Sequence, residues 1–364
     1  MTVGPAAHNE GMLPSTAAAA RTADSLNSDD VASLLVGTSR EFSRSDVSRL
    51  AGVSVVGARK FWHALGFAST TSSDRMFTEA DLRALRRMNM LVRSSVIDEA
   101  TALALTRAFA RNTDRLAAWQ VQLISEAMTA SSGVADVDGP PNEAIAQRTA
   151  RLIVDLADEL EPMLVYAWRR HLADAVSRML ADVGSGSESD APGQLRCVGF
   201  ADLVSFTTLV RQLSERDLAR TVQRFEALAT DVVTAHGGRV VKTVGDEVLF
   251  STRTPAPGAA IALDLVDALA EDEVLPDLRV GVSFGTVVSR LGDVFGTTVN
   301  RAARLTALAH PNAVLVDGPL ATALTSQSGF RLTAMRRRTL RGVGSVTPHV
   351  LARTSTPTRR GRYE

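Results

Sequence analysis

Apolar positions between residues 31 and 183 recur at intervals of three and four, as in Leu82, Leu85, Met88, Leu91 and Val92, and strand-like alternation is scarce. That period puts apolar side chains on one stripe of a helix, so the segment reads as almost wholly helical. Residues 131–141 (SSGVADVDGPP) form a loop between two helical groups, and a long helix follows from about residue 143 to 182. Within the first group, Ser43 or Ser45 offers a cap, Ala51-Gly52-Val53-Ser54 a turn, and residues 55–65 a second helix with Arg59, Lys60 and His63. Phe61 and Trp62 read as its core positions, and Thr78-Glu79-Ala80-Asp81 opens another helix. The result has the shape of a helix–turn–helix, similar to winged regions of bacterial regulators.

After residue 183 the pattern changes. Residues 184–194 (GSGSESDAPGQ) combine Gly, Ser, Asp and Pro, which predicts a joint rather than a packed element. Beyond it short apolar runs alternate with helical ones. Strands are expected at 196–201, 239–244 and 247–251, the last two joined by the tight-turn dipeptide Gly245-Asp246. A second hairpin is expected from 278–284 and 287–291 through Gly285-Thr286, with further strands at 313–316 and 349–351. Helices are expected at 214–235, stopped by His236-Gly237-Gly238, and at 259–270 and 299–309. The fold class is α+β: a mostly antiparallel sheet domain preceded by an all-α domain. The organisation is a flexible leader at 1–30, a helical domain at 31–183, a linker at 184–194, a second domain at 195–354 and a basic tail at 355–364. No internal repeat is visible.

Composition narrows the function classes. The 364 residues carry 40 Lys+Arg against 40 Asp+Glu, with 45% hydrophobic and 22% charged positions, which suits two soluble domains and excludes wholesale disorder. Cys197 is the only cysteine, so an intrachain disulfide or a cysteine metal cage is excluded. No apolar run approaches membrane-spanning length, and residues 1–30 lack a secretion signal, so a cytoplasmic location is expected. Neutral net charge weighs against a large nucleic-acid surface, and DNA is not among the expected partners.

Two acidic residues stand where metal chemistry would need them. Asp202 follows the apolar run Val198-Gly199-Phe200-Ala201, and Asp246 sits in the turn of the next hairpin. If their strands are neighbours, both carboxylates leave one sheet edge and can share Mg²⁺ or Mn²⁺. Alone, each reads as a helix cap or a turn residue. Leu203-Val204-Ser205-Phe206-Thr207 leads into a helix, so backbone N–H groups and the Ser205 and Thr207 hydroxyls lie beside Asp202.

Three separated runs then carry a resemblance. Phe200-Ala201-Asp202-Leu203-Val204-Ser205-Phe206-Thr207, Val241-Lys242-Thr243-Val244-Gly245-Asp246-Glu247-Val248, and residues 293–305 (DVFGTTVNRAARL) resemble the catalytic domain of class III nucleotide cyclases, over about residues 195–354. The resemblance implies a ferredoxin-like, palm-type domain and an adenylate cyclase, a phosphorus–oxygen lyase. It implies that Asp202, Asp246 and the backbone of Leu203 bind two divalent cations, Mg²⁺ or Mn²⁺. Ser205, Phe206 and Thr207 would meet phosphates, and Asn300 and Arg304, four apart on one helix face, would orient the ribose and stabilise the α-phosphate.

Lys242 and Asp293 occupy the family's base-reading positions. A donor and an acceptor there match the N1 acceptor and 6-amino donor of adenine and oppose guanine, so ATP is the expected substrate. Arg341 in Leu340-Arg341-Gly342 stands near the family's phosphate-binding lysine, with Arg336-Arg337-Arg338 close by. Arg301 departs from the small or apolar residue expected there. The full set on one chain implies a head-to-tail homodimer with two composite sites. The helical half is expected to regulate it through an unknown small effector. Two readings compete: a diguanylate-type or guanylate cyclase, suggested by Gly245-Asp246-Glu247, and a nucleotide-sensing transcription regulator without turnover.

Overall fold

The computed structural model describes residues 25–37, 39–67, 76–131, 142–184, 193–290 and 292–354. Most of the expected leader, the 131–141 loop, the 184–194 joint and the basic tail lie outside the described residues. The chain divides into two compact units, Met1–Gly184 and Ser185–Glu364.

The first unit is mostly helical over its described residues: α1 (Ser28–Val36), α2 (Arg44–Ala51), α3 (Val55–Ala64), α4 (Glu79–Arg93), α5 (Glu99–Ser131) and α6 (Glu143–Gly184). The leader was expected to run to residue 30, but α1 begins at Ser28. Asn27 caps it, its side chain accepting from the Asp29 and Asp30 N–H groups. Ser43, not Ser45, caps α2 and forms a capping box with Asp46; Ser54 caps α3, and Thr78 with Asp81 caps α4. Gly52 takes the left-handed conformation that ends α2. Val47, Ala58, Phe61, Trp62, Leu82 and Leu85 fuse these three helices into one core, with Trp62 stacked 4.9 Å from Phe77. Among the described residues no helix is long and apolar enough to cross a membrane.

The second unit begins with β1 (Gln194–Leu203), α7 (Phe206–Val210), α8 (Glu215–Ala235), β2 (Arg239–Val244), β3 (Glu247–Thr252), α9 (Pro255–Glu271) and β4 (Leu278–Arg290). There follow β5 (Asp293–Phe295), α10 (Thr297–Leu308), β6 (Ala313–Val316), α11 (Gly318–Leu324), β7 (Phe330–Ala334), β8 (Arg338–Leu340), β9 (Gly344–Val346) and β10 (His349–Arg353). The strand order is β2-β3-β1-β4-β6-β10-β7, with β5 paired to β4 and β8–β9 a separate hairpin. The first four strands pair antiparallel in the βαββαβ order of a ferredoxin-like sheet, and only β4–β6 runs parallel. Overall the chain is α+β.

Alternation along the strands makes two cores. Cys197, Ala201, Val248, Phe250 and Val280 face α8, α9 and α11, whereas Val198, Phe200, Leu249 and Val287 face β5 and α10 through Val294 and Ala302. A period of two then puts Asp202, Glu247 and Arg279 on the α10 side.

The hairpin expected at Gly285-Thr286 does not form. Residues 278–290 are one strand, paired with β1 over 278–287 and with β5 over 288–290, and the reversal comes at Gly292, between β4 and β5. Gly285 serves close packing instead: a Cβ there would lie 2.8 Å from Thr298 Oγ1, whose hydroxyl donates to the Thr286 carbonyl. At Gly281 a Cβ would lie 2.2 Å from the Thr306 backbone nitrogen. Both glycines let α10 sit directly on β4.

Candidate active site

The two expected metal carboxylates meet. Asp202 is opposite Glu247 on β3 and opposite Arg279 on β4, and the Leu203 N–H donates to the Asp246 carbonyl at 3.1 Å. That bond and the strand register set Asp202 and Asp246 side by side at one end of the sheet. Burial and the neighbouring Asp202 charge push the Asp246 carboxyl above its ordinary range, and Arg279 offsets part of that. Burial, then the charges of Asp202 and Asp246, push Glu247 up as well. Such crowded carboxylates are a load that a cation relieves. Among the described residues no group of three His, Cys, Asp or Glu side chains gathers to hold a metal. The Asp202 and Asp246 carboxylates are hard oxygen donors that fit a divalent cation, leaving positions for phosphate oxygens and water.

Arg279 is a candidate site residue that the sequence reading missed. Its Nε donates to Asp202 Oδ2 at 2.7 Å, and its terminal nitrogen pairs with the same oxygen. The Asp202 side chain is only 14% exposed, while Arg279 keeps part of its side chain in solvent. The available signal was a cation between Leu278 and Val280, both of which enter the core on the opposite face. Glu247 was also unassigned, although it follows Asp246 directly.

Lys242 and Asp293 come together elsewhere, on β2 and β5. The Lys242 Nζ donates to Asp293 Oδ2 at 2.7 Å, and the Val294 N–H donates to Oδ1 at 2.8 Å. Against the cost of burial, these bonds and the Lys242 and Arg239 charges hold the Asp293 carboxyl below its usual range. A bulge between Val240 and Lys242 shifts the β2–β3 register there.

Asn300 and Arg304 are exposed on α10, while Ala302, Leu305 and Thr306 are buried under it. Among the described residues none of Lys242, Asp293, Asn300 and Arg304 hydrogen-bonds to the Asp202–Asp246 pair. Ser205 stands at the entry to α7 in the left-handed conformation, without the side-chain cap its position suggested; Phe206 and Thr207 open that helix. Arg341 is exposed in the turn between β8 and β9, where the adjoining Leu340 packs with Leu305 of α10.

Arg301 points inward. It donates to the fully buried Asp317 at 2.7 Å, and that carboxylate also accepts from Ser283 Oγ at 2.5 Å and from the Leu320 N–H at 3.0 Å. The departure noted in the sequence thus ties α10 to α11 and β4. Replacing Arg301 by Ala leaves a buried charge short of its counterion, and unfolding by urea should show a loss of about 3 kcal/mol. An unchanged midpoint would show that Asp317 is satisfied by its neutral donors.

The ferredoxin-like sheet carries paired aspartates at one end with an arginine beside them and an Asn/Arg helix across one face, the placement that the resemblance to class III nucleotide cyclases implies. Residues 192–353 match the family described as Adenylate and Guanylate cyclase catalytic domain. The "Adenylate cyclase" of Glutamicibacter nicotianae is 43% identical over 338 residues, covering 89% of this chain and 82% of the relative. That of Streptomyces coelicolor is 39% identical, covering 88% of each. That of Streptomyces griseus is 41% identical, covering 80% of this chain and 70% of the relative. The chain belongs to the class III nucleotide cyclase family.

Proposed function

We propose that this cyclase converts ATP into 3′,5′-cyclic AMP and pyrophosphate. The reading rests on the adjoining carboxylates of Asp202 and Asp246, with Arg279 beside them. Two divalent cations, Mg²⁺ or Mn²⁺, held by these aspartates and the Leu203 backbone would supply charge neutralisation and acidify the ribose 3′-hydroxyl. In the reaction a bond forms between O3′ and the α-phosphorus, the bond to the pyrophosphate oxygen breaks, and the hydroxyl proton leaves to solvent.

The chain's own groups do the positioning. Arg279 is placed to exchange Asp202 for phosphate oxygens, and Ser205, Phe206, Thr207 and Arg341 lie on elements that would flank the phosphates. Lys242 donates to adenine N1 while Asp293 accepts from its 6-amino group. Asn300 orients the ribose and Arg304 stabilises charge on the α-phosphate. Because Lys242, Asp293, Asn300 and Arg304 make no described bond to the aspartates of their own copy, the working site is read as composite: the aspartates of one protomer face the base readers and α10 of its partner, twice per homodimer.

The helical unit is the regulatory part of this reading. It contains a cavity of about 330 Å³ bordered by Val36, Arg40, Trp62, Phe67, Met76 and Phe77, which offers room for a small effector.

Purified full-length chain with Mn²⁺ should form cyclic product from ATP at least about tenfold faster than from GTP, read by chromatography. Product from GTP alone would overturn the base assignment. No product from either nucleotide would leave a domain that binds without turnover.

A further inference from the structure

The neutral total hides a segregation of charge. Residues 39–97 hold ten Lys and Arg against five Asp and Glu, so the remainder of the chain is correspondingly acidic. That basic stretch is the helix–turn–helix of α2 and α3, closed by the Phe42–Phe77 bridge and by α4.

The unit is built to hold α3 rigidly by one side. Ala58, Phe61, Trp62 and Ala64 are buried, and the flanking Ser54 and Gly52 define the approach of α3 to α2. Its other side carries Val55, Val56, Arg59 and Lys60, at spacings that share one outward face. Val55 is 50% exposed and Val56 54% exposed. Two bare branched side chains in the first turn, followed one turn later by two cations, have no role in the core they turn away from. A helix about 10–12 Å across fits the major groove, where a leading apolar pair can meet thymine methyls while Arg and Lys meet phosphates. The Lys60–Glu99 pair at 2.9 Å is solvent-exposed, and such a pair is easily exchanged for a phosphate.

We propose that the α2–α3 unit binds duplex DNA, with α3 entering the major groove through Val55, Val56, Arg59 and Lys60. This does not depend on the cyclase reading. Arg59 also borders the cavity of the helical unit, which places that cavity next to the DNA-facing surface.

The test uses the full chain and a fluorescently labelled duplex of about 30 base pairs, drawn from a randomised pool and followed by anisotropy and by selection. Saturable binding is expected at about 50 mM salt, weakening at least tenfold by about 200 mM. The pair Arg59→Ala and Lys60→Ala should weaken it at least about tenfold on every sequence. The pair Val55→Ser and Val56→Ser should erase the enriched sequence while retaining general affinity. Thermal melting checks that each variant is folded. No saturable binding at the lower salt overturns the proposal, as does binding that the Arg59/Lys60 variant leaves intact.

Discussion

Asp246→Ala and Arg304→Ala proteins are each expected to lose at least about a hundredfold in turnover, yet an equal mixture should recover about one quarter of the wild-type rate. Asp246 lies against Asp202 and Arg279, and removing it takes half of the anionic pair that would hold the cations. Arg304 projects from the exposed face of α10, which the described contacts leave separate from those aspartates. When the two proteins exchange subunits, half of the dimers are mixed. Each mixed dimer has one site that combines the intact aspartates of one copy with the intact α10 of the other, and one site with both defects. Half of the dimers with half of their sites gives the quarter. A mixture no faster than its components would mean that the aspartates and α10 cooperate within one copy, and the composite site would fall.

The positions of the candidate site residues were largely legible because they lie where local pattern is strongest, while the roles proposed for them come from the family resemblance. Asp202 ends an apolar run, Asp246 occupies a two-residue turn, and Asn300 with Arg304 follow a helical period. In the helical half, Ser43, Gly52, Ser54 and Thr78 take the capping and turn roles that their residue types predict. What failed depended on contacts distant in sequence. Gly285 looked like a turn because a glycine kept for close helix packing and one kept for a reversal are identical in a single sequence. Only the approach of Thr298 separates them. Arg279 was invisible as a site residue because its partner is 77 positions away on the neighbouring strand. Arg301 looked out of place until the buried Asp317, which caps α11, supplied its counterion. The three-residue strands β8 and β9 carry too few residues for alternation to register, and their pairing is settled across the hairpin.

The remaining large effect concerns the base. Lys242→Glu with Asp293→Cys should lower the ratio of kcat/KM for ATP over GTP by at least about tenfold, measured with both nucleotides under the same cation. The wild-type pair presents a donor and an acceptor that hydrogen-bond each other at 2.7 Å, so each holds the other in place for a base. Guanine reverses both requirements, with a donor at N1 and an acceptor at O6, and would set a donor against a donor and an acceptor against an acceptor. The double variant inverts the pair: a carboxylate faces N1–H and a thiol faces O6. Lys242→Glu alone would set two carboxylates where a salt bridge stood, and their repulsion would weaken binding of either nucleotide without a clean change of preference. The two substitutions should therefore be non-additive, with the selectivity change appearing only in the double variant. A ratio unchanged by the double variant would place base recognition on other residues and leave Lys242 and Asp293 as a salt bridge between β2 and β5.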